Sequence, residues 1–384
     1  MAQLATLGSR GDGSLMARVE GKPGRFADVP RSADDLAAIL YTSGTTGRSK
    51  GAMISHGNLV SNARALVEAW QLSADDWLLH ALPIFHIHGL FVACNSLLMA
   101  GGSMLFLEKF DAAEVLRLLP KVNLLMGVPT FYTRLLDQAE LTREAVAHMR
   151  LFVSGSAPLT AETHKAFRER TGQAILERYG MTETGMNTSN PLDGERIAGT
   201  VGFPLPGVQL RITDPAAEVA TPLARGAVGM IEVRGPNVFQ GYWRMPEKTA
   251  EELRADGYFM TGDIGFIDER GYLQIVGRSK DMIISGGYNV YPKELEQLLD
   301  TLPGVAESAV IGVPHPDFGE GVTAVLVARP GEAPDEAAIL AGLDGKLARY
   351  KQPKRVLVID ALPRNVMGKV QKNQLRERFK DLYR

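Results

Sequence analysis

Between residues 36 and 171, short apolar runs alternate with stretches of helical periodicity, and this alternation constrains the fold more than any other feature. The apolar runs include LAAILYT, SMLFL, NLLMGV and RLFVSG, and the helical stretches include AAEVLRLLP, FYTRLLDQAE and AETHKAFRERTG. Strands and helices in alternation favour a layered α/β domain with a largely parallel sheet. We therefore predict an α/β fold for the first part of the chain.

The pattern of the sequence changes twice after this region. From about residue 202, short segments such as VQLRITD, GMIEVRG and YLQIVGR predict a β-rich subdomain beside the sheet. A second boundary near GRSKD (277–281) precedes a segment that predicts a small α+β unit. We therefore predict a large domain over residues 1–279 and a small mobile domain over residues 280–384. The first 30 residues are predicted to be loop or linker, because they are rich in Gly, Arg and Asp without clear periodicity.

The composition excludes several classes of protein. Lys and Arg number 42 against 44 Asp and Glu, so the chain lacks the net basic charge that most nucleic-acid-binding proteins carry. Cys94 is the only cysteine, which excludes an intrachain disulfide and fits a reducing compartment. No apolar run approaches the ~18 residues of a membrane span, and the N-terminal sequence lacks the apolar core of a signal peptide. We therefore expect a cytoplasmic protein that binds neither nucleic acid nor membrane.

The segment YTSGTTGRSKG (41–51) is rich in glycine and hydroxyl side chains and directly follows a predicted strand. Its glycines allow backbone N–H groups to approach a ligand closely, its Ser and Thr residues add hydroxyl donors, and Lys50 adds positive charge. A helix predicted from about residue 55 to residue 70 follows, as in strand–loop–helix phosphate sites. The spacing differs from the Walker A pattern, which indicates another class of phosphate-binding loop. An ordinary surface turn is the alternative if this segment is considered alone.

Seven motifs, in the same order along the chain, resemble those of the adenylate-forming superfamily, which includes the acyl-CoA synthetases. They are YTSGTTGRSKG (41–51), PIFHIHGL (83–90), SGSAPL (154–159), ERYGMTET (177–184), GYFMTGD (257–263), GRSKDMIISGGYNVYPKELE (277–296) and PRNVMGKVQK (363–372). The resemblance covers nearly all of the chain from residue 32 onward. It implies an acid–thiol ligase that uses ATP, Mg²⁺ and CoA, and a monomer that acts on small molecules.

The resemblance assigns the ATP site residue by residue. The residues implied to hold the β- and γ-phosphates are Thr42, Ser43, Gly44, Thr45, Thr46, Gly47 and Lys50. The residues implied to line the adenine site are Gly155, Ser156, Ala157, Tyr179, Gly180 and Met181, with the Tyr179 ring stacked on the base. Thr182 and Glu183 match the catalytic positions that meet the α-phosphate and Mg²⁺, since a hard cation prefers a carboxylate oxygen. Asp263 is implied to accept the ribose hydroxyls and Arg278 to make a second contact, with an ion pair between subdomains as the alternative for both.

Lys369, in the polar loop PRNVMGK, matches the catalytic lysine of the superfamily and is implied to reach the reacting carboxylate and the α-phosphate. More than 300 residues separate it from the phosphate loop, so the small domain has to close over the large one to deliver it. In the second half-reaction a thiol has to take its place, and the resemblance implies rotation of the small domain about a hinge at Lys280. Gly286 and Gly287 would then leave a passage for the pantetheine arm of CoA. An ordinary turn is the alternative for this glycine pair.

The acid is inferred from a cation in the predicted acyl pocket. In the superfamily this pocket is lined by the segment near HIHGL, by the helix after GVPT and by the loop SGSAP, and here that helix carries Arg134. A cation in a desolvated pocket is costly unless a carboxylate pairs with it. Arg134, with His86 and with Ser154 or Ser156 nearby, therefore predicts a small dicarboxylic acid as substrate.

Segments such as GMTETGMNTSNPLDGERIAGTVG and RGPNVFQGYWRMPEKT are most similar to the malonyl-CoA synthetases of the superfamily. This similarity implies malonate as the acid, with methylmalonate as a second substrate. Arg178 and Arg196 are alternatives to Arg134 as the carboxylate-binding residue. A different short, fatty or aryl acid is the alternative substrate.

Members of the superfamily have roughly a hundred more residues before the phosphate loop, so we expect open sheet edges and exposed apolar surface in the large domain. An inactive nucleotide-binding remnant is therefore a further alternative. The presence of Lys369, Glu183 and Asp263 argues against loss of the chemistry.

Overall fold

The computed structural model describes residues 5–6, 8, 12–22, 24–25, 27–42, 49–215, 217, 220–365 and 368–384. The α-helices in these ranges are α1 (Ser14–Val19), α2 (His56–Trp70), α3 (Asn95–Ala100), α4 (Ala112–Leu118), α5 (Pro129–Leu136), α6 (Ala161–Thr171), α7 (Pro246–Glu252), α8 (Pro292–Leu299), α9 (Glu336–Leu343) and α10 (Lys372–Phe379). A π-helix (His88–Cys94) precedes α3, and short 3₁₀ turns lie at Leu119–Lys121, Ser279–Asp281 and Arg349–Lys351.

The strands fall into four sheets. Those of the large domain are β1 (Leu36–Thr42), β2 (Lys50–Ser55), β3 (Trp77–His80), β4 (Ser103–Phe106), β5 (Leu124–Gly127), β6 (Leu151–Ser154), β7 (Leu176–Met181), β8 (Gly185–Ser189), β9 (Phe203–Pro204), β10 (Gln209–Thr213), β11 (Gly229–Arg234), β12 (Phe259–Ile267) and β13 (Leu273–Arg278). Those that follow are β14 (Ile283–Ser285), β15 (Tyr288–Val290), β16 (Val305–His315), β17 (Gly319–Ala328) and β18 (Arg355–Val358).

The alternating pattern correctly predicts a parallel sheet in the large domain. Its strand order is β4-β3-β5-β6-β7-β8-β9, in which the first five strands are parallel and the last two are antiparallel additions. Every residue of β5 and β6 is buried, as expected for strands covered on both faces. Leu124 belongs to one apolar cluster and Leu125 to another, so the sheet separates two layers of core. The carboxyl ends of β5, β6 and β7 therefore meet at one edge.

The segment around the phosphate loop differs from the prediction. β1 pairs with β2 in antiparallel orientation, with Thr42 opposite Lys50, so the loop joins two strands and not a strand to a helix. Helix α2 begins only after β2, where Ser55 caps it by accepting a hydrogen bond from the backbone N–H of Asn58. The helix predicted at residues 55–70 is thus confirmed. Its N-terminus is not adjacent to the phosphate loop, because β2 lies between them. Strand β1 is also not buried, because Tyr41 is 68% exposed.

Two smaller sheets complete the fold. The β-rich subdomain is confirmed as the antiparallel sheet β10-β11-β12-β13. The last part of the chain forms the sheet β15-β14-β17-β16, to which β18 adds parallel to β17, with a core shared with α8, α9 and α10. The strands before the turn Ser279–Asp281 and those after it belong to different sheets. The division into two domains at residues 279–280, and their independent movement, stay predictions.

Exposed apolar side chains lie at the outer strands of the large domain. Strand β4 ends the seven-stranded sheet, and its Phe106 is 55% exposed. The prediction of loop in the first 30 residues was wrong for α1, all of whose residues are exposed. In the described ranges, no helix combines the length and the apolar character that crossing a membrane requires.

Candidate functional site

The loops that follow β5, β6 and β7 converge at one edge of the parallel sheet. These strands end at Gly127, Ser154 and Met181, and the predicted site segments GVPT, SGSAP and MTET lie at or just after these ends. Neighbouring parallel strands bring their carboxyl ends together, which is where open α/β sheets bind ligands. A Cβ atom on Gly155 would lie 2.4 Å from Cζ of Arg178, so glycine at this position allows the backbone to approach the guanidinium closely.

Arg178 is a buried cation without a partner in the part of the chain that the structure describes. It is 3% exposed, and neither its Nε nor its Nη2 has a hydrogen-bond acceptor among the described residues. Burial lowers the pKa of Arg178 to about 9. An isolated buried charge costs several kcal/mol, so such a guanidinium is explained most simply by an anionic ligand.

The side chains around Arg178 are polar, and two of them also lack a partner within the described ranges. These are Nε2 of His88 and Oγ of Ser154. Nδ1 of His88 lies 3.2 Å from Oγ of Ser156, which has a φ of 71°, in the left-handed region that strains a residue other than glycine. Burial, followed by the charge of Arg178, lowers the pKa of His86 to about 4 and lowers that of His88 well below its usual range. Both imidazoles are therefore neutral at pH 7, and Arg178 supplies the positive charge of this group of side chains.

Neither Arg134 nor Arg196 combines burial with unpaired donors as Arg178 does. Arg134 is exposed on α5. Arg196 donates through Nε, Nη1 and Nη2 to the backbone carbonyls of Pro191, Ala174 and Leu192, so its guanidinium stabilises a loop. Burial therefore favours Arg178, which the sequence offered only as an alternative, whereas the role of Arg134 stays a prediction.

Asp263, Tyr179 and Arg278 form a second polar group at the same edge. Asp263 is 4% exposed, accepts a hydrogen bond of 2.6 Å from Oη of Tyr179 and lies 3.0 Å from Nε of Arg278. Pairing of β12 with β13 sets Asp263 opposite Arg278, and the carboxylate raises the pKa of that arginine. An ion pair therefore forms, as the alternative predicted, but within one sheet. Each carboxylate oxygen has two lone pairs, so Asp263 retains acceptor capacity for ribose hydroxyls.

Lys50 belongs to a network that the sequence did not predict. Its Nζ lies 2.9 Å from Oη of Tyr242 and 3.1 Å from Oε1 of Glu252. Oη of Tyr242 lies in turn 3.0 Å from Oε1 of Glu183 and 2.5 Å from Oε2 of Glu252. One phenolic proton can serve only one of the two carboxylates. Tyr242 and Glu252 lie outside the motifs quoted for the ATP site, so nothing in the sequence singled them out.

The phosphate loop itself lies largely outside the described residues. Five of its predicted ATP-binding residues belong to that part, namely Ser43, Gly44, Thr45, Thr46 and Gly47. Thr42 and Lys50, at the facing ends of β1 and β2, are described. Gly180 and Met181 end β7, and Thr182 follows them beside Glu183.

The structure brings the loop of Lys369 to this site from the far end of the chain. Gly368 packs against Thr130 at the start of α5, where an added Cβ would lie 3.3 Å from Cγ2 of Thr130. Burial, followed by the positive charge of Arg278, lowers the pKa of Lys369 to about 8, while the carboxylate of Asp263 opposes that shift. The small unit is therefore closed over the sheet edge in this structure.

Lys280, Gly286 and Gly287 lie at the start of the small unit. Lys280 is in the turn Ser279–Asp281. The two glycines connect β14 to β15 with φ values of 59° and 82°, and Ser285 pairs with Tyr288 across them. Two successive positive φ values are those of a type I′ hairpin turn, which accounts for both glycines. Their predicted role in a passage for CoA stays a prediction.

Comparison with known proteins identifies the family and the fold. Residues 7–243 match the AMP-binding enzyme family, and residues 294–369 match the AMP-binding enzyme C-terminal domain. The chain belongs to the AMP-binding enzyme family. The resemblance to adenylate-forming enzymes is thereby confirmed, together with the α/β fold that it implied.

Relatives among the AMP-binding enzymes act on different acids. A malonate–CoA ligase from Arabidopsis thaliana is 40% identical over 375 residues, which are 90% of this chain and 61% of that protein. A feruloyl-CoA synthase from Amycolatopsis is 40% identical over 357 residues, covering 92% of this chain and 72% of that protein. The crystal structure of ATP-bound MatB from Rhodopseudomonas palustris is 62% identical, with a TM-score of 0.97 over all of this chain and 76% of that one. Since the first two identities are equal, the acid has to be argued from the pocket.

The residues around Glu183 fit the Mg²⁺ ion that AMP-binding enzymes use. Its carboxylate is buried, its pKa is raised chiefly by that burial, and Tyr242 cannot donate to it and to Glu252 together. Among the residues described, no three His, Cys, Asp or Glu side chains gather into a metal cage. Mg²⁺ at nucleotide sites needs only one or two carboxylates besides the phosphates, so Glu183 would be its protein ligand.

Proposed function

We propose that this protein is an ATP-dependent malonate–CoA ligase. It would convert malonate and ATP into malonyl-adenylate and pyrophosphate, and then transfer the malonyl group to CoA with release of AMP. The observation that carries the proposal is the unpaired, buried guanidinium of Arg178 at the sheet edge that Lys369 also reaches. Methylmalonate, which differs by one methyl group, is proposed as a second substrate.

The free atoms of Arg178 are suited to a carboxylate. Nε and Nη2 form one edge of the planar guanidinium, and a carboxylate can accept from both. Arg150 binds Asp76 with the same two atoms, at 2.9 Å from Nε to Oδ1 and 2.8 Å from Nη2 to Oδ2. A dicarboxylic acid would pair one carboxylate with Arg178 and direct the other toward Lys369. A fatty or aryl monocarboxylate would leave the guanidinium unpaired, so the pocket favours the diacid.

Adenylate formation would follow from the placement of the charged groups. An oxygen of the free carboxylate attacks the α-phosphorus of ATP, and the bond from that phosphorus to the pyrophosphate oxygen breaks. Lys369 and Thr182 stabilise the charge at the α-phosphate, and Lys50 lies toward the leaving pyrophosphate. Asp263 holds the ribose. Mg²⁺, when bound at Glu183, would supply further neutralisation of phosphate charge.

Thioester formation would require a different position of the small domain. The thiolate sulfur of CoA attacks the acyl carbonyl carbon, and the bond to the AMP oxygen breaks. Lys369 would block the approach of the thiol in the closed arrangement, so we propose that the small domain rotates about Lys280, at the division between residues 279 and 280. This rotation would carry Gly286 and Gly287 toward the thiol. We also propose a cytoplasmic monomer, which size-exclusion chromatography with light scattering would check.

A panel of acids tests the proposed function. Pyrophosphate release would be measured with malonate, methylmalonate, succinate, acetate, butyrate and ferulate, each with and without CoA. We expect the highest kcat/KM for malonate and the formation of malonyl-CoA and AMP in equal amounts when CoA is present. A higher kcat/KM for ferulate or butyrate would contradict the proposed acid, and no pyrophosphate release with any acid would contradict the proposed reaction.

The pKa of Lys369 predicts a pH dependence of adenylate formation. Burial and Arg278 lower that pKa to about 8, so the charged ammonium predominates below this pH and the neutral amine above it. We expect kcat/KM for ATP, at saturating malonate, to fall by about tenfold per pH unit above pH 8. The residual activity of a Lys369→Ala variant provides the control, because it should not follow this profile. A wild-type profile that stays flat to pH 10 would contradict the prediction.

A further inference from the structure

The loop that carries Lys369 is held by polar contacts at its base. Arg364 and Val370 form an isolated antiparallel bridge that closes the loop. Nη1 of Arg364 donates to the carbonyl of Gly368 at 2.6 Å. Oδ1 of Asn365 accepts from the backbone N–H of Lys369 at 2.9 Å, and the N–H of Asn365 donates to the carbonyl of Lys369 at 3.0 Å. The peptide groups on both sides of the Lys369 Cα are therefore hydrogen-bonded.

Arg364 also joins this loop to the sheet of the small domain. Its Nη2 pairs with a carboxylate oxygen of Glu307, which lies on β16. Strand β16 pairs with β17 over nearly its whole length, so its backbone is among the most constrained in this domain. A single guanidinium thus connects a rigid strand to the carbonyl immediately before Lys369.

A loop tip that carries a long lysine side chain has many conformations unless its backbone is fixed. The lysine has to enter a site whose other groups are already placed, with Gly368 seated against Thr130. A displacement of about 1 Å at a reacting group can lower a rate by about 10²-fold. Arg364 holds the carbonyl of Gly368, the residue next to Lys369. The Arg364 side chain is not itself among the groups assigned to bind substrates.

We propose that Arg364, anchored by Glu307, is a positioning residue that presents Lys369 for adenylate formation. The proposal rests on the role of Lys369 in the proposed function. A positioning role predicts that loss of Arg364 slows only one of the two half-reactions, whereas a general role in stability predicts that both are slowed. Thioester formation takes place after Lys369 has left the site, so Arg364 serves the first half-reaction and is dispensable for the second.

The test separates the two half-reactions in the full chain. Arg364→Gln and Glu307→Gln would be assayed for pyrophosphate release with ATP and malonate, and for malonyl-CoA formation from chemically prepared malonyl-adenylate and CoA. For Arg364→Gln we expect kcat of the first reaction to fall by about 10²-fold, with KM for ATP and the rate of the second reaction unchanged. Glu307→Gln should lower the first reaction by about tenfold, because the anchor is lost while the contact with Gly368 remains.

Arg355→Gln is the matched control, since it removes an ion pair of 3.1 Å with Glu336 on the same domain. It should leave both half-reactions unchanged. Equal losses in the two half-reactions of both Arg364→Gln and Glu307→Gln would indicate a structural role and overturn the inference. Normal pyrophosphate release by Arg364→Gln and Glu307→Gln would also overturn the inference, provided that Lys369→Ala has lost pyrophosphate release. If Lys369→Ala itself retained pyrophosphate release, the proposed function would be the part that fails.

Discussion

Replacement of Lys369 by alanine is expected to lower the rate of adenylate formation by about 10³-fold while ATP binding persists. Lys369 is half-buried and interacts with the charges of Arg278 and Asp263, and its partial desolvation strengthens its interaction with the charge that develops on the α-phosphate. The phosphate loop, Asp263 and Tyr179 would still bind the nucleotide. Pyrophosphate release measures the first effect, and isothermal titration with ATP measures the second.

Two comparisons make this result specific to Lys369. Lys346→Ala removes an exposed lysine from the same domain and should leave adenylate formation unchanged. Malonyl-CoA formation from supplied malonyl-adenylate should survive in Lys369→Ala, because the lysine is absent from that step. Near-normal pyrophosphate release by Lys369→Ala would show that the lysine is not catalytic.

Replacement of Arg178 by methionine is expected to abolish the preference for malonate without harming the fold. Loss of a buried, hydrogen-bonded charge pair with the substrate costs about 2 to 5 kcal/mol, so kcat/KM for malonate should fall by about 30- to 4,000-fold. Nε and Nη2 have no acceptor among the described residues, so their removal leaves no protein group unpaired. The free energy of unfolding should therefore stay the same or rise, as it does when buried charges are replaced by apolar residues. Activity with butyrate should fall less than activity with malonate.

Arg134→Ala is the matched control for this experiment, because Arg134 is exposed and was the arginine that the sequence favoured. It should retain the wild-type ratio of kcat/KM for malonate to that for butyrate. Thermal unfolding with and without malonate gives a second readout, since malonate should stabilise the wild type and Arg134→Ala but not Arg178→Met. A shift in acid preference caused by Arg134→Ala, with Arg178→Met unaffected, would reverse the assignment.

Local sequence patterns were sufficient for much of the fold. Helix α2 was placed to within a residue, because its N-cap serine and its helical periodicity are both properties of neighbouring residues. The strands β5 and β6 were likewise evident as apolar runs. Strand β2 was missed, since KGAMIS has a glycine near its start and is defined by pairing with β1 across a loop. A π-helix at His88–Cys94 had no local signal that distinguishes it from an α-helix or a loop.

The networks of the site show why its geometry could not be predicted in the same way. Lys50 and Glu252 are about 200 positions apart, yet Nζ and Oε1 lie 3.1 Å from each other. The link between them through Tyr242 depends on how α7 packs beside β2, and no pattern in either segment encodes that contact. The same holds for Arg364 and Glu307, whose pairing follows from the position of β16 relative to the lysine loop.

The sequence by itself determined the family, the order of the motifs and the kinds of chemical group available, because these depend only on which residues occur and at what spacing. It also identified Lys369, Glu183 and Asp263 as the groups to examine. Only the tertiary structure decided which arginine is buried. Arg134 and Arg178 both lie in site segments, but exposure and desolvation are properties of everything packed around a side chain. Charge acts most strongly on a bound group where water is excluded, so this non-local property is the basis on which we propose Arg178 as the residue that binds the acid.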